Sequence, residues 1–404
     1  MTATEFYVGG CISVFCGATL AAAAGVGGGG IMIPLLLIFF QYSFTVCVPL
    51  SLCVVLGNAI SQFYLNSRKR SPYDGKRPMI WWELIVLLLP AQLGGSNVGT
   101  LLSYILPSSV LYILALLILL FAGKICFQKA ITKRQLELEH ATPSVLTDEI
   151  VVENPIPHGS NFLEISFAHA DPQATTSEQK PEVEPISWPV KALVALGSMW
   201  ICYVCLSVGR TQTDRCSDWY IVLFILAYLP LATGLLWSIQ YNQQKMQSYT
   251  VSDKDPHSLR SLEEKMMKND LYILPVYMFL IGMLCSLLGI GGGELISPLL
   301  LSYHVSPVVT SATSSTMGLL TSLSVIARDL ALNEVAYDTG LLVFLMGLLG
   351  GYIGRKFGLY MTKINRASVI IFALCGALCC SASYYVYKLI GTKFDGSLSN
   401  LCDS

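Results

Sequence analysis

Of 404 residues, 53% are hydrophobic and only 13% are charged, against roughly 25% charged in ordinary soluble domains, and the mean hydropathy is +0.59. That balance excludes a water-soluble fold and points to an all-α polytopic protein with a lipid bilayer as its solvent. A formal net charge of −1 supplies no concentrated basic surface, so no nucleic acid partner is expected.

The first apolar stretch, Phe6 to Ala24, follows a start that holds Glu5 and no Lys or Arg, and reads as a retained membrane segment rather than a cleaved signal. Ile31 to Phe40, Phe44 to Leu65, Met79 to Leu106 and Ser108 to Phe127 complete a first transmembrane repeat, 1–127. Residues 128–187 are rich in Pro, Ser, Thr and acidic side chains without sustained periodicity, which predicts a flexible acidic cytoplasmic loop. Two inserted transmembrane helices follow in 188–238. In the polar linker 239–269, Leu259, Leu262, Met266 and Met267 share one helical face and Ser261 with Glu264 offers a capping box, predicting a short surface helix. The second repeat, 270–390, holds Leu271 to Leu288, Leu295 to Tyr303, Pro307 to Ala327, Val335 to Gly354 and Ala367 to Ile390, and 391–404 form a tail.

The two repeats match beyond hydropathy. Gly25-Val26-Gly27-Gly28-Gly29 and Pro34-Leu35-Leu36-Leu37 correspond without a gap to Gly289-Ile290-Gly291-Gly292-Gly293 and Pro298-Leu299-Leu300-Leu301, which puts Ser51 opposite Ser315. Leu93-Gly94-Gly95 aligns with Leu349-Gly350-Gly351, so the chain carries an internal duplication. The loop Ser67 to Pro78 holds Arg68, Lys69, Arg70, Lys76 and Arg77 against Asp74 alone, which makes it cytoplasmic. The second basic cluster, Arg355, Lys356, Lys363 and Arg366, falls one segment later than its counterpart, so the repeats are expected to be inverted.

The arms after each glycine run are too short to span a bilayer, and broken helices mark transport sites. A glycine run lets a ligand approach bare N–H groups, and a helix that starts there aims its positive end inward. Two such ends meeting would form an anion site from Gly27, Gly28, Gly29, Gly291, Gly292 and Gly293, with Pro34 and Pro298 as structural parts of the motif. Hydroxyls at Ser311, Thr313, Ser314 and Ser315, and Ser51 with Asn58 in the matching helix, are further candidates for the substrate path, although Ser and Thr also bond their own helix backbone. Gln92, Ser96 and Asn97 are secondary candidates, because amides in hydrocarbon are costly unless paired. Glu294 is the acidic residue of the glycine hairpins and a proton-coupling candidate, with helix capping as the competing role; His304 is the second proton-coupling candidate.

Of the 13 cysteines most lie in apolar segments, where they read as small packing residues, and the Cys202/Cys205 pair has no second pair nearby, so neither disulfides nor a metal site is expected. GVGGGGIMIPLLL and GIGGGELISPLLL, each followed by a polar-rich helix, resemble the duplicated motif of the TauE/SafE family of anion exporters, over both halves and in the longer eukaryotic form. The resemblance implies alternating-access export of a small anionic substrate such as sulfite, a sulfonate or a related organic anion, with a proton or cation as coupling ion. It leaves substrate, direction of flux, host membrane and oligomeric state open. Two other classes compete: a receptor or scaffold using the acidic loop, and a membrane-embedded enzyme. The enzyme reading suffers because His140, His158, His169 and His257 sit in polar loops, so no catalytic residue, cofactor or metal is expected.

Overall fold

The computed structural model describes residues 3–25, 28–71, 77–141, 189–213, 217–249, 270–303, 305–332, 336–364 and 366–391, with only the backbone described at Glu294 and a few helix-end positions. The helices are α1 Ala3–Ala24, α2 Gly29–Phe39, α3 Phe44–Ser67, α4 Trp82–Ile105, α5 Ser108–Ala141, α6 Val190–Arg210, α7 Asp218–Leu226, α8 Tyr228–Tyr249, α9 Ile273–Leu288, α10 Gly293–Ser302, α11 Pro307–Ala331, α12 Tyr337–Lys363 and α13 Ala367–Gly391. Among the described residues the sole bridge outside helices joins Arg70 to Pro78 and closes the basic loop after α3. Among the described residues eight spans are long and apolar enough to cross a membrane, with α7 and α8 counted as one. The fold is all-α and polytopic.

Both short arms form where the glycine runs end. α2 has 11 residues and α10 has 10, about 16 Å each at 1.5 Å per residue, or half a hydrocarbon core. Pro34 and Pro298 stand at the sixth position of their helices, where each removes an N–H and frees a carbonyl of the first turn. α2 folds back along α1: an added side chain on Gly17 would touch Leu35 and Met32, each at 3.1 Å.

Helix packing is reciprocal between the halves. α1 lies along α12 and α9 along α4, while α3 crosses α11 and α5 lies along α13. Small residues bring these backbones together. Gly354 and Gly358 of α12 sit on the carbonyls of Thr19 and Ala23, and Gly95 of α4 and Gly282 of α9 sit on those of Phe279 and Gln92. α6 and α8 pack on each other and on α4 at one flank. Leu117, Phe121, Val194, Ile201, Leu236 and Leu341 point outward, the arrangement expected where lipid is the neighbour. Cys202 and Cys205 are also on this outward side, not in the helix packing expected for them.

Several helices outrun their predicted ends, among them α8, which continues past Ser238 to Tyr249, into the stretch read as a polar linker. α5 continues past Phe127 to Ala141, into the stretch read as a flexible loop. Its extension is held by Glu137, whose carboxylate accepts from the backbone N–H of Ser368 at 2.8 Å and from the Ser368 hydroxyl, at the start of α13 where negative charge is favoured. α12 continues past Gly354 to Lys363, so Arg355 lies inside a packed helix while Lys356, Lys363 and Arg366 are exposed. The predicted surface helix around Leu259 to Met267 falls outside the described residues.

If Gly354 is the close contact between α1 and α12, Gly354→Leu should cost about 1–3 kcal/mol of stability, as overpacking does. Gly376, which has nothing within 4 Å of an added side chain, should accept leucine with little change. Thermal melting of both purified variants checks this; equal midpoints would contradict the packing.

Candidate functional site

The two glycine turns touch. A Cβ on Gly29 would strike the backbone nitrogen of Gly291 and lie 2.9 Å from the Ile290 carbonyl carbon, so the N-terminal ends of α2 and α10 face each other across a backbone contact. Gly25, Gly28 and Gly289 hold φ of +74°, +83° and +62°, the left-handed region in which a side chain is strained. Gly28, Gly29, Gly291, Gly292 and Gly293 are buried. Gly27 and His304 fall outside the described residues. So does the Glu294 side chain, although its backbone is in the first turn of α10.

Each turn is held by a hydroxyl from the other half. The Ser51 hydroxyl lies 2.8 Å from the Gly289 carbonyl and 2.7 Å from that of Val48, and the Ser311 hydroxyl lies 3.2 Å from the Gly25 carbonyl. Ser314 accepts from Ser297 of α10 at 3.1 Å, which ties α11 to the second arm. The remaining hydroxyl candidates are engaged elsewhere. Ser315 donates back to the Ser311 carbonyl at 2.6 Å, and Thr313 turns to the start of α4, where it accepts from the Trp81 N–H at 3.2 Å. Neither is brought to the turns.

Beside the turns lies a column of buried polar groups. Ser51, Asn58, Gln62 and Asn66 repeat on one face of α3 at helical spacing, each at most 1% exposed. Asn58 packs on Gly28 and Gly351 and accepts from Gln62 Nε2 at 3.0 Å, whereas Gln62 Oε1 and Asn66 Nδ2 have no partner. On α4, Gln92 is fully buried, and neither its Nε2 nor its Oε1 has a hydrogen-bond partner. Its Nε2 lies 2.5 Å from where a Cβ on Gly292 would sit, at the start of α10. Buried amides left unpaired cost about 1–3 kcal/mol each, so a polar ligand or water at this point would be favoured.

The column ends on Arg355, which a reading of basic residues as loop charges misplaces. Its Nη1 lies 3.7 Å from a Cβ added to Gly25, and Nη2 donates to Asn66 Oδ1 at 3.3 Å. Its Nε has no partner, and among the described residues no carboxylate faces it. The residue is 8% exposed. Lys69, in the loop after α3, is held below the ordinary lysine value by burial and, second, by the Arg355 guanidinium. The sequence does contain a signal for this placement: small residues at Gly347, Gly351, Gly354 and Gly358 continue one helical face past Arg355.

The family model for "Sulfite exporter TauE/SafE" matches residues 10–163 and 178–381, so it takes in both glycine turns and every helix of the site. The chain belongs to the TauE/SafE family. Among the relatives of this TauE/SafE protein are three from Arabidopsis thaliana. Sulfite exporter TauE/SafE family protein 2 is 26% identical, over 92% of this chain and 80% of its own length. Family protein 3 is 26% identical over 91% of this chain and 75% of its own, and family protein 1 is 27% identical over 89% and 78%. No solved structure matches significantly. Membership, together with the eight apolar spans, makes this an integral, multi-pass membrane protein.

Substitutions at the two turns should differ in cost. A methyl at Gly292 need displace only the end of the Gln92 side chain, whereas a methyl at Gly29 must push one backbone away from another. Gly29→Ala should therefore melt well below Gly292→Ala in a thermal scan, and equal midpoints would contradict the direct contact of the turns.

Proposed function

We propose that this protein carries a small anion across the membrane by alternating access, through a site between the two glycine turns. The observation that carries this reading is Arg355: a buried guanidinium, with no carboxylate partner among the described residues, stands beside the Gly25 turn, where an anion would offset its burial. The facing N-terminal ends of α2 and α10 add partial positive charge and free N–H groups at the same place. The Gln92 amide and the α3 column supply hydrogen-bonding groups that an oxyanion can use in stages.

The substrate class we favour is sulfite, sulfonates or related organic anions, moved outward. The names of the relatives support it, as does the chemistry: compact oxyanions suit guanidinium and amide donors. The halves are proposed to be inverted repeats that rock about the α3–α11 crossing, supported by the reciprocal packing of α1 on α12 and α9 on α4. Arg355 and the loop 67–78 then mark the cytoplasmic end. Glu294, in the first turn of α10, is proposed as the proton-coupling carboxylate: protonated, it would donate to the anion, and ionised, it would repel it.

Flux of sulfite, sulfate and small sulfonates into proteoliposomes tests the reading. Arg355→Gln should lower anion flux at least about tenfold, the loss of one charge-assisted hydrogen bond, and Arg355→Lys should retain a fraction of it. Glu294→Gln should keep anion exchange yet lose its response to a pH gradient. Undiminished flux in Arg355→Gln would remove the site from the turns, and gradient-driven flux unchanged in Glu294→Gln would leave that residue a helix cap.

A further inference from the structure

A second buried cation lies on the other side of the molecule from Arg355. Arg210 ends α6, one of the helices outside the duplicated pattern, and is 4% exposed. Its Nη1 has no hydrogen-bond partner, and among the described residues no carboxylate contacts it. Its guanidinium carbon stands 5.1 Å from the Tyr220 ring centre and 5.0 Å from that of Phe224, contacts that offset some of the burial cost. Arg210 shares a small pocket, about 30 Å³, with Arg328 of α11.

Arg328 is also 4% exposed, but it is paired: Nη2 and Nε donate to Asp329 Oδ1 at 2.6 and 3.1 Å. Among the described residues, two guanidinium groups and one carboxylate leave one positive charge at this pocket without a counter-charge. Burying such a charge is strongly unfavourable unless an anion accompanies it. Thr100, Tyr104 and Arg328 also line a larger cavity of about 350 Å³ between α3, α4 and α11. That cavity reaches Ser286 and Leu287, just before the Gly289 turn, so the small pocket borders a cavity that extends toward the second glycine turn.

We infer that Arg210 and Arg328 form a second anion site, for a chloride-sized ion or the end of a compact oxyanion, at the mouth opposite Arg355. The inserted helices therefore supply a binding group of their own to the repeat core. Thr100 donates or accepts a hydrogen bond with Ser286 at 2.7 Å beneath the site, which fixes its floor without neutralising it. The rings of Tyr220 and Phe224 hold the Arg210 guanidinium in place, so the charge is preorganised.

The test is the chloride dependence of thermal stability in the purified full-length protein, with sodium chloride titrated against sodium gluconate at constant ionic strength. Gluconate is too large for a pocket of this size. The unmodified protein should be stabilised by chloride with a saturable midpoint. Arg210→Gln should raise that midpoint at least about tenfold or abolish the effect, since it removes a charge-assisted bond. Arg210→Lys keeps the charge and should retain chloride stabilisation with a weaker midpoint, and it serves in place of the glutamine variant should that one fail to fold. Chloride stabilisation unaltered in Arg210→Gln, or a midpoint unmoved in Arg210→Lys, overturns the inference. A loss confined to Arg355→Gln would assign the anion to the glycine turns, overturning this second site while supporting the transport site proposed above. Loss in Arg210→Gln with Arg355→Gln unaffected supports the second site and bears only on it.

Discussion

The backbone contact between Gly29 and Gly291 is the constraint on which the rest of the structure depends. Two chain reversals can come this close only where neither residue carries a side chain, and each reversal needs left-handed backbone at its entry, at Gly25 and Gly289. The arms that leave the turns are 11 and 10 residues long, about half the length that crosses a membrane, and their N-terminal ends start beside the contact. Helix N-termini, which carry partial positive charge, are thus brought together by chain geometry before any charged residue is considered.

Charge and polarity are arranged around that centre. Ser51 and Ser311 cross from one half to the carbonyls of the other, so the turns are locked by the same helices, α3 and α11, that carry the polar groups. α11 has the length to cross a membrane but is too polar to count among the apolar spans, a composition that only a helix surrounded by protein can sustain. Most of its hydroxyls return bonds to their own backbone at i−4, as Thr316 and Ser322 do at 2.8 and 2.7 Å. Their density marks burial, and among the described residues Ser311 and Ser314 are the ones bonded to the turns and arms. Two buried guanidinium groups, at Arg355 and Arg210, each have a nitrogen without a hydrogen-bond partner and no carboxylate contact among the described residues, one on α12 and the other on α6.

The duplicated glycine runs, the half-length arms and the all-α membrane class were legible in the residues, because each follows from chain length and the absence of side chains. Arg355 was not, since hydropathy ends a membrane segment at the first cluster of basic residues and cannot see that glycines on either side of it keep the helix packed. The extension of α5 was missed for a related reason: its polar residues are good helix formers, and Glu137 is anchored by a partner, Ser368, far away in sequence. Thr313 illustrates the converse, a hydroxyl in the right helix on the wrong face, which the cluster of neighbouring hydroxyls concealed. Arg210 falls at the end of the first inserted helix, and only the fold brings it to Arg328.

The central claim is that a small oxyanion binds where the two glycine turns meet. Determination of a crystal structure with selenate, a heavy-atom oxyanion, at the selenium absorption edge would test it most directly. The account predicts an anomalous peak beside the Gly25–Gly29 and Gly291–Gly293 segments, within hydrogen-bond reach of Arg355 or Gln92. Well-ordered turns without a peak at saturating selenate, or peaks confined to the surface, would contradict it.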